Sequence, residues 1–138
     1  MANKVVLDTN VILDLFISER QSHEAVTQLL SQITDGEYVL HVVSTSLKDV
    51  YYIISKYSNE AHARKCISAV FISMEVLAVD SRVVYEGFHG VEPDFEDGII
   101  AACVDLNHMD YLVTRDAKAF KKCHAKTVSP AELLEILG

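Results

Sequence analysis

The sequence predicts a three-layer α/β/α sandwich around a central parallel sheet of about five strands. Short apolar runs rich in β-branched residues alternate along the chain with longer segments of helical apolar periodicity. The runs are apolar throughout, as is typical of strands covered by helices on both faces. A length of 138 residues with 50% apolar residues suits one domain, 1–138, with an ample core.

Five apolar segments are the predicted strands. In chain order they are 5–7, 38–43, 76–79, 111–113 and 127–128. A turn at Gly36 precedes the second. The segments between strands are long enough for helical crossovers, which favours parallel pairing and right-handed connections. Ligands bind beyond the carboxyl ends of such strands, so functional residues are expected just after each strand.

Helices are predicted between the strands from their apolar stripes and capping residues. The predicted ranges are 11–17, 24–33 with Ser22 as its cap, 44–56 opened by Ser44 or Thr45, 60–72, 80–87 capped by Asp80, 94–107, a short turn at 117–121, and a final helix. The sequence Ser129-Pro130-Ala131-Glu132 opens the final helix, because it combines a capping box with proline at the first helical position.

The net charge of −8 has the wrong sign for a protein that binds nucleic-acid phosphates. The basic residues are nevertheless clustered, since five of the 12 lie between positions 115 and 126. The candidate RNA-binding residues in this cluster are Arg115, Lys118, Lys121 and Lys122. The alternative is a solvated helix face without a ligand. The acidic remainder of the chain suits a basic protein partner.

The three cysteines, Cys66, Cys103 and Cys123, are widely spaced and match no zinc motif. We interpret them as reduced thiols of a cytoplasmic protein. No apolar run is long enough to span a bilayer, and the first residues lack a signal-peptide pattern. We therefore expect no membrane partner.

Acidic residues follow the predicted strands at four places. Asp8 comes directly after the first strand, and Asp116 lies just after the fourth. Asp49 lies one turn into the third helix, and Asp94 and Asp97 lie at the start of another. Taken singly, Asp8, Asp94 and Asp116 are interpretable as helix caps, which contribute about 0.5–2 kcal/mol each. Asp49, inside a helix, faces either solvent or a cleft.

A parallel sheet would bring these acids together at one edge. Two carboxylates about 4 Å apart repel by about 4 kcal/mol at an effective dielectric near 20, so several in one cleft require raised pKa values or a cation. Oxygen ligands without imidazole or thiolate favour Mg²⁺ or Mn²⁺. Such an ion suits phosphodiester hydrolysis without a covalent intermediate.

The motifs resemble those of PIN-domain ribonucleases, and among them the small VapC-like toxins of bacterial toxin–antitoxin pairs. The resemblance rests on the runs Leu7-Asp8-Thr9-Asn10, Asp94-Phe95-Glu96-Asp97 and Thr114-Arg115-Asp116, with an acid at Asp49 between the first two. Their order and spacing match over essentially the whole chain. A glutamate is common in relatives at the position of Asp49, so its contact with a metal is expected to run through water.

The resemblance implies roles for these residues. Asp8, Asp49, Asp97 and Asp116 would be the catalytic acids, with Asp8, Asp97 and Asp116 as metal ligands. Asn10, Thr114 and Asp94 would support them. It also implies an RNA substrate, a small antitoxin that occupies the site, and a homodimer.

Other functions fit the sequence less well. A haloacid-dehalogenase-type phosphatase needs a second acid two residues after Asp8, where this chain has Asn10. A response-regulator receiver needs paired acids after the first strand and an aspartate after the third, in an order that the chain lacks. A PIN-like module that binds RNA or protein without cleavage, and an RNA-processing nuclease outside toxin–antitoxin systems, remain as alternatives.

Overall fold

A computed structural model describes residues 2–33, 36–92, 94–120 and 122–138 of the chain. Five strands form one sheet; they are β1 (Asn3–Leu7), β2 (Tyr38–Val43), β3 (Glu75–Leu77), β4 (Tyr111–Val113) and β5 (Lys126–Val128). Their spatial order is β3-β2-β1-β4-β5, and every neighbouring pair is parallel. The predicted parallel sheet is therefore confirmed.

Helices connect the strands and cover both faces of the sheet. They are α1 (Thr9–Phe16), α2 (His23–Gln32), α3 (Ser44–Tyr57), α4 (Glu60–Ser73), α5 (Ser81–His89), α6 (Phe95–Leu106) and α7 (Pro130–Leu137), with a 3₁₀ turn at Ala117–Phe120. None of the helices in the described ranges is long and apolar enough to cross a membrane.

The alternation of side chains along β1 divides the core into two layers. Val5 and Leu7 pack in the core cluster that includes residues of α1 to α4 and α7, whereas Val6 packs in the other cluster with Ile100 and Phe120. All three β1 side chains named here are fully buried. Helices on both faces make this a three-layer α/β/α sandwich, as the sequence predicts.

Some predicted boundaries and caps differ from the structure. The third strand was predicted at 76–79 but spans Glu75–Leu77, because its partner β2 ends at Val43, opposite Leu77. The prediction that Ser22 caps α2 through its side chain is wrong: its backbone (φ −95°, ψ 8°) is not extended, and its hydroxyl makes no capping bond. The capping box at Ser129 and Glu132 is confirmed. Lys121 lies outside the described residues.

Helices α5 and α6 pack through two glycines. A Cβ atom on Gly87 would lie 2.8 Å from the Ile99 nitrogen, and one on Gly98 would collide with the Gly87 carbonyl oxygen. The two backbones therefore approach more closely than side chains would permit. Asp97 directly precedes Gly98, so it lies beside this close crossing of α5 and α6.

Candidate active site

The strand order places a crevice beside β1. The chain runs from β1 outward to β3 on one side, and then continues with β4 and β5 on the other side. In open α/β sheets, the point where the order reverses is the usual ligand-binding crevice. Asp8 follows β1 and Asp116 follows β4, so both lie at this point.

Asp8 is held in one orientation by two hydrogen bonds. Its Oδ1 accepts from the Thr9 amide at 2.7 Å, and its Oδ2 accepts from the Thr114 hydroxyl at 2.8 Å. The Thr114 hydroxyl in turn accepts from the Asp116 amide at 3.1 Å, so it links the ends of β1 and β4. Asp8 also caps α1, so its cap interpretation is correct without excluding a role at the site.

Burial raises the pKa of Asp8, which is only 7% exposed. The hydrogen bonds from Thr114 and Thr9 oppose this shift, and the charge of Asp116 adds to it. When burial and a like charge raise the pKa of a carboxylate, a bound cation stabilises its charged form more than it would stabilise an exposed carboxylate. Asp8 is therefore electrostatically suited to bind a cation.

Asp97, on α6, also has a raised pKa. Partial burial, followed by the charges of Asp94, Asp8 and Asp116, raises its pKa to about 6. Asp94 caps α6 by accepting from the Asp97 amide at 3.0 Å, as its cap interpretation expects. Asp116 directly precedes the 3₁₀ turn at Ala117–Phe120, and its backbone oxygen accepts from the Ala119 amide at 3.2 Å. Asp8, Asp97 and Asp116 thus act on one another through their charges.

Two clefts meet at Asp8 and Asn10. The first cleft, of about 490 Å³, contains Arg115, Asp116 and the start of α7. The second, of about 500 Å³, contains Thr9, Asp49, Tyr52, Ile53, Asp94, Glu96 and Asp97. Asp8 and Asn10 line both clefts. The structure thus brings every predicted acid to one of two adjoining clefts.

Asp49 lines the second cleft, where it meets a residue that sequence reasoning missed. Glu96 has a raised pKa because of burial and because of the negative charge of the neighbouring Asp49 carboxylate. Glu96 also accepts a hydrogen bond from the Thr9 hydroxyl at 3.3 Å, and Thr9 reaches the buried Ser46 hydroxyl at 2.8 Å. Glu96 belongs to the Asp94-Phe95-Glu96-Asp97 run at the start of α6. Its place in this acidic run was the feature from which a role at the site could have been predicted.

The donor chemistry of the site fits a hard divalent cation. Among the described residues, no three or more His, Cys, Asp or Glu side chains are already arranged as a metal-ligand set. Mg²⁺ is usually held by one or two carboxylates and keeps several waters, so a full protein cage is not required. Asp8 and Asp97, with raised pKa values at adjoining positions, fit such a site.

The basic residues do not share one surface around the clefts. Arg115 lines the first cleft, whereas Lys122 lines a separate cleft between α5 and α6, beside Glu86, Glu92 and Asp105. Lys118 is exposed on the 3₁₀ turn. Among the members of the predicted cluster that the structure describes, Arg115 lines the same cleft as Asp8 and Asp116.

Comparisons with known proteins agree with this architecture. A family model described as a PIN domain matches residues 4–118. The structure is similar to VapC20 of Mycobacterium tuberculosis, described as a sarcin–ricin loop cleaving toxin, with a TM-score of 0.71 at 12% identity over 83% of this chain and 92% of that chain. No curated protein matches the chain.

Two solved complexes contain chains of the same fold. A toxin–antitoxin complex from Klebsiella pneumoniae matches with a TM-score of 0.69 at 22% identity, over 91% of this chain and 97% of that chain. DNA-bound VapBC from Salmonella typhimurium matches with a TM-score of 0.67 at 16% identity, over 92% and 97%. At these identities the likeness shows the shared fold.

Proposed function

The chain belongs to the PIN-domain family, and we propose that it is a metal-dependent ribonuclease that hydrolyses RNA phosphodiester bonds. One observation carries the proposal: the mutually repelling carboxylates of Asp8, Asp97 and Asp116 lie at the crevice of a parallel sheet. Such an arrangement is unfavourable without a cation and favourable with one. The cofactor that fits the oxygen donors is Mg²⁺ or Mn²⁺.

Each acid has a distinct role in this proposal. Asp8 and Asp97 would hold the ion directly, and Asp116, which follows β4, would complete the ligand set. Asp49, paired with Glu96, orients water at the far wall of the second cleft. When bound, the ion would polarise the phosphate and lower the pKa of a bound water.

The supporting residues act by fixing the acids. Thr114 holds Asp8 Oδ2 and the Asp116 backbone at the same time. Asp94 fixes the first turn of α6, which carries Asp97. Asn10 lies between the two clefts, where its amide can contact a strand that crosses from one to the other.

We further propose that the nuclease is the toxin of a toxin–antitoxin pair. Several chains of the same fold come from complexes described as VapBC or toxin–antitoxin assemblies. The net charge of −8 favours a basic antitoxin segment over these clefts. We also propose that the chain forms a homodimer. An RNA-processing nuclease outside such pairs is the alternative.

The test of the activity uses purified protein and end-labelled single-stranded RNA. We expect cleavage with Mg²⁺ or Mn²⁺ that stops with EDTA and in Asp8→Asn and Asp97→Asn. Glu135→Gln, an exposed carboxylate on α7 outside both clefts, is the matched control and keeps full activity. Unchanged cleavage in both aspartate variants would contradict the proposed site.

The toxin role needs a separate experiment. Induced expression of the wild-type chain in bacteria is expected to arrest growth, whereas Asp8→Asn at equal protein level is not. Co-expression of a small basic reading frame adjacent to the gene should restore growth. RNA cleavage in vitro without growth arrest would favour the RNA-processing alternative.

A further inference from the structure

A carboxylate without solvent exposure lies between two arginines next to the first cleft. Asp14 is on α1, and its side chain is 0% exposed. Its Oδ1 accepts a hydrogen bond from Arg20 Nε at 2.7 Å. Its Oδ2 lies 3.4 Å from Arg115 Nε. One buried negative charge therefore anchors two guanidinium groups from different parts of the chain.

The ion pair between Asp14 and Arg20 is linked to the candidate active site through Asn10. Asn10 and Asp14 are four residues apart on α1 and so share one helix face. Arg20 bridges them, because its Nη2 donates to Asn10 Oδ1 at 2.9 Å while its Nε contacts Asp14. Asn10 lines both clefts, so the position of Arg20 sets the orientation of a cleft residue.

The contacts of Asp14 are not those expected if its only role were to stabilise the fold. Within the described residues, Asp14 Oδ2 is buried without a hydrogen-bond partner, and its contact with Arg115 is an ion pair only. Burying a charge with an oxygen left unsatisfied is unfavourable, and apolar replacements of buried ion pairs often make a protein more stable. A function that needs the arginines in place accounts for its presence.

Arg115 lines the first cleft, and its guanidinium group has hydrogen-bond donors that the described residues do not use. Its side chain is 35% exposed, and it lines the first cleft with Asp8 and Asp116. Among the described residues no hydrogen bond to its guanidinium is found, so its terminal nitrogens are available to a ligand. Arginine is the residue that best binds phosphate oxygens through two parallel hydrogen bonds.

We propose that the first cleft is a phosphate-binding subsite, in which Arg115 contacts a phosphodiester of the RNA strand next to the cleaved one and Asp14 is its positioning residue. The inference rests on the proposed ribonuclease function and deepens it. It also explains how a chain with net charge −8 can bind RNA: one cation placed at the acidic crevice offsets the local repulsion of phosphate.

The test measures binding rather than cleavage. A fluorescently labelled 12-nucleotide single-stranded RNA is titrated in EDTA at several salt concentrations. For Arg115→Ala we expect affinity to fall about tenfold. The slope of log affinity against log salt should shrink by about 0.7, the value for one lost phosphate contact on a single strand. Arg82→Ala, an exposed arginine on α5 outside the cleft, is the matched control and leaves both quantities unchanged.

Asp14→Asn gives a second test, in which simple electrostatics and the proposal predict opposite changes in RNA affinity. This change removes a negative charge beside the cleft, so simple electrostatics predicts tighter RNA binding. The proposal predicts weaker binding, because Arg115 loses its anchor. In the Arg115→Ala background, Asp14→Asn should weaken binding much less than it does in the wild type, because most of its effect acts through Arg115. An equal loss in both backgrounds would contradict the positioning role of Asp14 toward Arg115.

The outcomes separate the subsite from the proposed function. Circular dichroism and thermal unfolding check the fold of each variant, and Arg115→Ala alone decides the question if Asp14→Asn does not fold. Unchanged affinity and salt slope in Arg115→Ala, or an absence of RNA binding by the wild-type protein, would overturn the subsite. If the subsite variants behave as expected but Mg²⁺ produces no cleavage, the subsite stands and the nuclease function fails.

Discussion

The Thr114 hydroxyl donates a 2.8 Å hydrogen bond to Asp8 Oδ2, across 106 positions of sequence, and both residues are buried. The bond joins the ends of the two strands that flank the crevice. It also gives the first prediction, because it satisfies an oxygen of a carboxylate whose pKa is already raised.

Thr114→Val, which keeps the shape but removes the donor, is expected to destabilise the protein by about 1–3 kcal/mol, the cost of leaving a buried acceptor unsatisfied. It should also raise the pKa of Asp8 further, since the bond from Thr114 opposes the effect of burial. Urea unfolding measures the change in the free energy of unfolding. Thr114→Ser is the control, and equal losses in both variants would show that the methyl group rather than the hydroxyl matters.

Asp97 makes the stability of the metal-free protein depend on pH. Its pKa rises from an ordinary value of 3.8 to about 6 in the folded state, so the native protein binds more protons than the unfolded chain between these values. Stability from this group is therefore present below about pH 4 and is lost as the pH rises through about 6.

Asp97→Asn should accordingly stabilise the metal-free protein at pH 7 by about 1 kcal/mol, after allowance for solvent screening of a partly exposed group. The gain should disappear near pH 4, and Mg²⁺ should stabilise the wild type more than the variant. Urea unfolding in EDTA and in Mg²⁺ measures both effects. A variant less stable than the wild type at pH 7 would refute the raised pKa.

The contact between α5 and α6 predicts an effect of a small substitution. Gly98→Ala improves helix propensity by about 1 kcal/mol. The added Cβ would nevertheless collide with the Gly87 carbonyl oxygen. We expect a net loss of about 1–3 kcal/mol from overpacking, together with weaker RNA cleavage because Asp97 moves with its neighbour. Thermal unfolding and the cleavage assay measure these effects.

Gly90→Ala is the control for Gly98→Ala. A Cβ atom at Gly90 would lie 3.2 Å from the flexible Glu92 carboxylate and 3.3 Å from the Glu86 carbonyl oxygen. Both contacts are tight but lie above 3.0 Å, and the nearer one is to the end of a flexible side chain, so a smaller loss is expected. A rise in stability for Gly98→Ala would mean that the helices separate without penalty.

The two thiols of the α6 side of the core should resist alkylation. Burial, with Asp80 nearby, raises the pKa of Cys103 to about 11, and burial, with Asp105 nearby, raises the pKa of Cys123 to about 12. At pH 8 almost none of either thiol is in the reactive thiolate form. Iodoacetamide labelling followed by mass spectrometry should be at least about 100-fold slower in the folded protein than in urea. Equal rates would contradict the burial of these thiols.

The sequence was sufficient to predict the sheet and the acidic edge, because both follow from local patterns. Apolar runs located the strands; Asp8 directly follows the first run, and Asp116 is the third residue after the fourth. The cap interpretation was correct for Asp8 and Asp94, which shows that one carboxylate can cap a helix and line a cleft at once. The third strand was predicted to start one residue late and to end two residues late, because its limits depend on its partner β2.

The networks that surround these acids could not be predicted, because they join residues distant in sequence. Glu96 meets Asp49 only when α6 lies across the sheet edge from α3. Asp14 reads as an ordinary helical aspartate until Arg20 and Arg115 are brought against it. Lys122, which is near Arg115 in the sequence, lines a different cleft in the structure.

The shared wall between the two clefts has a genetic consequence. Asp8 and Asn10 line both clefts, so a substitution at either changes both at once. Arg115 lines the first cleft, and Asp49 lines the second. Separation-of-function alleles, which impair strand binding but spare bond cleavage or the reverse, should therefore map to the outer walls and be absent from Asp8 and Asn10.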